Sequence, residues 1–118
     1  MRAADSGAVT KLREAIQGGS GILVGDVVLL EVLQGARSEQ HAERLHGQLH
    51  QFHIVPMMDA KLAVLASRHY RLLRERGITI RRTVDLIIGT FCIAHGYKLL
   101  HQDRDFAPMA THLGLLTI

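Results

Sequence analysis

One cysteine, two prolines, no tryptophan, two tyrosines and three phenylalanines are all that these residue types contribute to a chain of 118 residues. A lone cysteine, Cys92, has no partner for an internal disulfide. That excludes a disulfide-stapled scaffold and fits a reducing compartment. The scarcity of aromatics argues against a stacking platform for single-stranded nucleic acid. The longest uncharged apolar stretch, residues 86–94, falls well short of the ~20 residues that span a bilayer. Residues 1–10 carry neither an apolar core nor a cleavage-like segment, so no signal peptide is expected. Charge of one sign is also in short supply, with 14 Lys and Arg against 11 Asp and Glu, a formal +3. Such an excess permits a polyanionic partner without demanding one. A cytoplasmic protein without membrane association is the expectation.

What is present is an ordinary globular composition, 47% hydrophobic and 21% charged, in a length that suits a single domain. Helix-like and strand-like pieces alternate. Residues 9–17 read as a helix stopped by Gly18 and Gly19, and residues 22–24 as a short buried strand. Asp26 is placed to cap a helix running through Gln34 and ended by Gly35. A polar helix over 38–51, a strand over 52–55, and a long helix over 60–76 capped by Asp59 follow. Thr83 opens a helix over 84–95. A strand at 98–101, a loop and helix at 105–112, and a strand at 115–118 complete the pattern. Strands with unbroken apolar cores, separated by helices, predict an α/β fold: a parallel sheet flanked by helices on both faces.

In such a sheet, ligands bind at the edge where strands end and the following helices begin. Asp103 and Asp105 follow the strand at 98–101, Asp85 lies in the first turn of the helix after Thr83, and Glu31 lies in the helix after the strand at 22–24. All four are predicted at one edge. Singly, each has a plain reading. Asp85 suits the positive end of a helix dipole, and Asp103 and Asp105 suit a turn. Glu31 resists that treatment, because it interrupts Val27, Val28, Leu29, Leu30, Val32 and Leu33, a helix expected to be buried. Grouped carboxylates favour a hard divalent ion, Mg²⁺ or Mn²⁺, with Arg104 the neighbouring cation able to compete. An ion so held suits phosphodiester hydrolysis.

Three segments then resemble the downstream acidic motifs of VapC toxins, which are PIN-domain ribonucleases. They are Gly25-Asp26-Val27-Val28-Leu29-Leu30-Glu31-Val32-Leu33-Gln34-Gly35, Thr83-Val84-Asp85-Leu86-Ile87-Ile88, and Leu99-Leu100-His101-Gln102-Asp103-Arg104-Asp105-Phe106. The resemblance runs from about Val9 to Ile118. It implies a single PIN-like domain over 1–118, with Glu31, Asp85 and Asp103 as catalytic and metal-holding acids and Asp105 as an accessory acid. It also implies an Mg²⁺- or Mn²⁺-dependent endoribonuclease, the toxin of a type II toxin–antitoxin pair, silenced by a VapB-type antitoxin and working as a homodimer. The family opens with an apolar strand ending in an aspartate. No apolar run precedes Val9, and Asp5-Ser6 stands too close to Glu31 to serve as that motif. The expectation is therefore an N-terminally incomplete domain lacking the family's first central strand, between the strands at 22–24 and 98–101. A catalytically impaired remnant that still binds antitoxin or RNA is the alternative function.

Arg68, Arg71, Arg74, Arg76, Arg81 and Arg82 crowd the stretch before Asp85. The first three, at near-helical spacing, read as a solvated face, whereas Arg81 and Arg82 adjoin the acidic edge and are assigned to docking of substrate phosphates or of acidic antitoxin residues. His46 and His50 share a helix face without a zinc signature, so a polar surface is the better account. Cys92 and His95 have the spacing of a nucleophile pair, but Phe91, Ile93 and Ile88 around the thiol favour an inert core cysteine.

Overall fold

The computed structural model describes residues 14–18, 21–101 and 104–118. Its elements run β1 (Glu14–Gly18), β2 (Gly21–Gly25), α1 (Asp26–Gln34), α2 (Glu39–Leu49), β3 (His53–Val55), α3 (Ala60–Glu75), α4 (Thr83–His95), β4 (Lys98–His101), a 3-10 turn (Arg104–Phe106), α5 (Ala107–Leu113) and β5 (Leu116–Thr117). The strands form one sheet in the order β3-β2-β1-β4-β5. The pairs β2–β3 and β4–β5 are parallel, each joined through helix, as a parallel crossover requires. The central strand β1 is antiparallel to both neighbours. The α/β, PIN-like architecture expected from the sequence is therefore present, with a mixed sheet in place of a wholly parallel one.

The difference has a definite source. Residues 14–17, expected within a helix over 9–17, form a strand, and residues 9–13 of that helix lie outside the described residues. Glu, Ala and Gln are good helix formers, but intrinsic preferences differ by only ~0.7 kcal/mol per residue or less. The slot between β2 and β4 offers backbone partners on both sides and buries Ala15 and Ile16. Hydrogen bonding along both edges and apolar burial outweigh so small a preference. β1 thus takes the position expected to lack a strand.

Register sorts the sheet's two faces. Ile16 pairs with Leu23 and with Leu99, placing these three on one face, where Ile16 and Leu99 are almost fully buried. Ala15, Gln17, Ile22 and Leu100 share the other face. Val24, in the same alternation as Ile22, is buried there, but Ile22 and Leu100 stay about half exposed. They line, with Ala15, Ile16, Gln17, Gly21 and Ile118, a shallow apolar cavity of about 240 Å³.

Local chemistry fixes the helix ends. Ser38 and Asp59 cap α2 and α3, accepting from the backbone N–H groups of His41 at 3.1 Å and Leu62 at 2.8 Å. Asp26 does not cap α1 as expected, since Gly25 holds that position. Its Oδ1 instead accepts from the Met57 backbone N–H at 3.2 Å, tying the start of α1 to the loop after β3. α4 stops at Gly96, whose φ of 68° suits the residue without a β-carbon. Among the described residues, no helix is long and apolar enough to cross a membrane.

Candidate active site

β2 and β4 both run opposite to β1, so their C-terminal ends lie at the same edge of the sheet. α1 leaves this edge directly after β2, and the 3-10 turn follows β4. Glu31 is carried by α1, Asp85 by the first turn of α4, and Asp105 by the 3-10 turn. Asp103 lies outside the described residues.

The three described acids are gathered around two consecutive arginines. Arg82, the residue capping α4, donates from Nη2 to Glu31 Oε2, and its Nη1 lies 3.8 Å from Asp85 Oδ1. Arg81 donates to both carboxylate oxygens of Asp105, at 3.0 and 3.3 Å. Glu31 and Asp85, far apart in sequence and on different helices, thus share one guanidinium. Asp85 is 1% exposed. Burying a carboxylate is costly, and here the positive end of α4 and the nearby Arg82 both offset that cost. Glu31 is less enclosed than its apolar neighbours implied, with a side chain 23% exposed. The buried stripe of α1 is Val28 and Val32, while the adjacent Leu30 is exposed.

Glu14 escaped sequence reasoning. It is 3% exposed and pairs in register with His101, at the edge where β4 ends. Nothing in the sequence marks it, because its segment reads as helix. On the same strand pair, Nδ1 of His101 is buried with no hydrogen-bond partner among the described residues, and the ring packs 4.9 Å from that of Phe106.

The remaining constellations resolve simply. Cys92 is fully buried, and desolvation pushes its thiol up to about 12. His95 turns its Nδ1 to the Phe91 carbonyl at 2.9 Å, so both side chains are accounted for by packing and local hydrogen bonding. His46 and His50 stack on each other, 4.9 Å between ring centres. Arg68, Arg71 and Arg74 are exposed, with Arg71 donating to Ser67 and Arg74 lying over the Tyr70 ring. They are a solvated helix face, as their spacing predicts.

A carboxylate pair brought to one cation from two helices is a donor set of the kind hard divalent ions take. Here the cation is a guanidinium. Among the described residues no three His, Cys, Asp or Glu side chains already surround a common point. The donors present therefore fit a divalent ion in chemistry, with a further oxygen ligand needed from beyond Glu31 and Asp85.

The profile of the PIN domain family matches residues 3–111. This chain belongs to the PIN domain family. Among characterised proteins, the PIN domain described here is 29% identical over 114 residues to a VapC ribonuclease of Mycobacterium bovis, covering 93% of this chain and 83% of that protein. It matches ribonuclease VapC11 of Mycobacterium tuberculosis to the same extent. The homology to VapC ribonucleases supports the resemblance carried by the acidic motifs.

Proposed function

We propose that this PIN domain is the toxin of a type II toxin–antitoxin pair, an Mg²⁺-dependent endoribonuclease held in check by a VapB-type antitoxin. Mn²⁺ would substitute for Mg²⁺, and the working form is a cytoplasmic homodimer. The observation that carries the reading is the convergence of Glu31 and Asp85 on one cationic centre, at the sheet edge where β4 leads to Asp103 and Asp105. Family membership and the ribonuclease names of its relatives add their support.

Glu31, Asp85 and Asp103 would hold the ion, with Asp105 as the accessory acid. The ion, when bound, supplies charge neutralisation at phosphorus and activation of water. The chain's own residues set the stage. Burial of Asp85 keeps one ligand in a single position, which favours a fixed geometry over a mobile one. Arg81, largely exposed, faces solvent beside Asp105, where an incoming phosphate can compete for its guanidinium. Arg82 lies deeper, within reach of both acids, and is assigned to the phosphate nearest the scissile bond.

The test is Asp85→Asn, which keeps the shape of the side chain and removes its charge. It is expected to abolish Mg²⁺-dependent cleavage of RNA while leaving the circular dichroism spectrum unchanged. Undiminished cleavage would remove Asp85, and the site with it, from the reaction. A second reading, an impaired domain that still binds antitoxin or RNA, is favoured by the guanidinium already lodged between the two acids. Titration of Mn²⁺ against RNA cleavage separates the readings: activity that rises with the ion supports the nuclease, and flat activity supports the binder.

A further inference from the structure

The N-cap position of α4 brings Arg82 back over its own helix and across to α1, where it meets Glu31 by a direct hydrogen bond and Asp85 at 3.8 Å. These two acids come from elements otherwise separate in sequence, and Asp85 is almost wholly removed from water. Two carboxylates this close to one point need positive charge between them, since like charges in a partly desolvated site disfavour ionisation of both. A guanidinium meets that need with a planar set of donors. Arg81 does not share this task, for it is spent on Asp105.

We infer that Arg82 is a built-in stand-in for the divalent ion: its guanidinium occupies the cation position between Glu31 and Asp85 and must withdraw before a metal can bind there. The inference rests on the metal-site reading above and adds a regulatory element to it. Arg82 is a positioning residue in this role, holding α1 and the start of α4 together without metal and competing with metal for the same oxygens. A guanidinium and a divalent ion cannot share the seat, so the two binding events are coupled with negative sign. Arg82, once displaced, is a charged side chain at the mouth of the site, free to meet phosphate.

The test uses Mn²⁺ alone, without RNA, on the full chain and on Arg82→Gln and Arg82→Ala, with binding followed by titration calorimetry and by the loss of free Mn²⁺ paramagnetic resonance signal. Both variants are expected to bind Mn²⁺ about fivefold or more tightly than the parent, the lower end of typical coupling between sites. Without metal, each should melt at a lower temperature than the parent and gain more from added Mn²⁺. Arg82→Lys, which keeps the charge but not the forked geometry, should fall between. Affinity unchanged or weakened in both neutral variants, with the parent binding Mn²⁺, overturns the stand-in role and leaves the metal site intact. If neither the parent nor the variants bind Mn²⁺, the stand-in role and the metal-site reading both fall; where Mn²⁺ does bind, affinity unchanged in Glu31→Gln marks surface binding and overturns both.

Discussion

The interface between α3 and α4 contains a polar contact whose removal can be followed quantitatively. His69 Nδ1 lies 3.0 Å from Thr90 Oγ1, with His69 7% exposed and Thr90 fully buried. Replacing Thr90 by Val keeps the side-chain outline but strands the imidazole nitrogen in an apolar layer. A buried polar group left without its partner costs ~1–3 kcal/mol, which for a domain of this size is a fall in Tm of several degrees. Burial, and then the Arg68 charge, hold His69 below its ordinary value of 6.5. The folded protein therefore takes up its proton later than the unfolded chain does. Stability from this residue is fully present above pH 6.5 and is lost as pH falls through the folded value, because the unfolded state binds the extra proton. Urea unfolding of the parent, Thr90→Val, His69→Phe and the double variant at pH 8 and pH 5.5 measures both effects. The single variants should each lose stability at pH 8, and the double variant should lose less than their sum. The fall in stability between pH 8 and pH 5.5 should shrink in His69→Phe relative to the parent, although the other histidines keep some slope. Strict additivity of the two substitutions, or an unchanged slope in His69→Phe, would refute the reasoning.

Other consequences can be checked with less effort. Asp59→Ala removes the oxygen that accepts from Leu62 N–H at the start of α3 and should cost ~1 kcal/mol, read as a lower urea midpoint at unchanged m. Cys92, buried and with its thiol pushed up to about 12, should fail to react with an aromatic disulfide reagent at pH 8 until urea unfolds the chain. Rapid labelling of the native protein would show that the α4 core opens far more readily than its packing implies.

Much of the architecture was legible in the sequence because it is written in local chemistry. Asp59 announces the helix it caps, Gly96 announces a helix end, and the short runs at 22–24 and 98–101 announce strands, which are buried at Val24 and Leu99 and about half exposed at Ile22 and Leu100. Glu14–Gly18 was not legible, since a segment of helix-forming residues becomes a strand only when β2, next along the chain, and the distant β4 offer it hydrogen bonds on both sides. The approach of Glu31 to Asp85 was foreseeable from the rule that strand ends and helix starts share an edge, whereas Asp105 is paired with Arg81. Arg82 and Arg81, which these acids meet, were read as contacts for substrate or antitoxin, because side-chain reach across helices carries no signature in spacing. Glu14 reached the same edge through pairing with His101, and it depends on a register that no local pattern encodes.

That register has a consequence for how the molecule is made. β1 is the seam between two parallel pairs, β3–β2 and β4–β5, and its ladder to β4 joins segments near opposite ends of the described chain. Contacts of such sequence separation form slowly, because the intervening chain must be closed into a loop first. On a ribosome, β2 and β3 can emerge and associate while β4 is still unwritten, leaving one edge of the seam open. The acidic edge is thus assembled only after the segment carrying β4 has been made, long after the segment carrying Glu31.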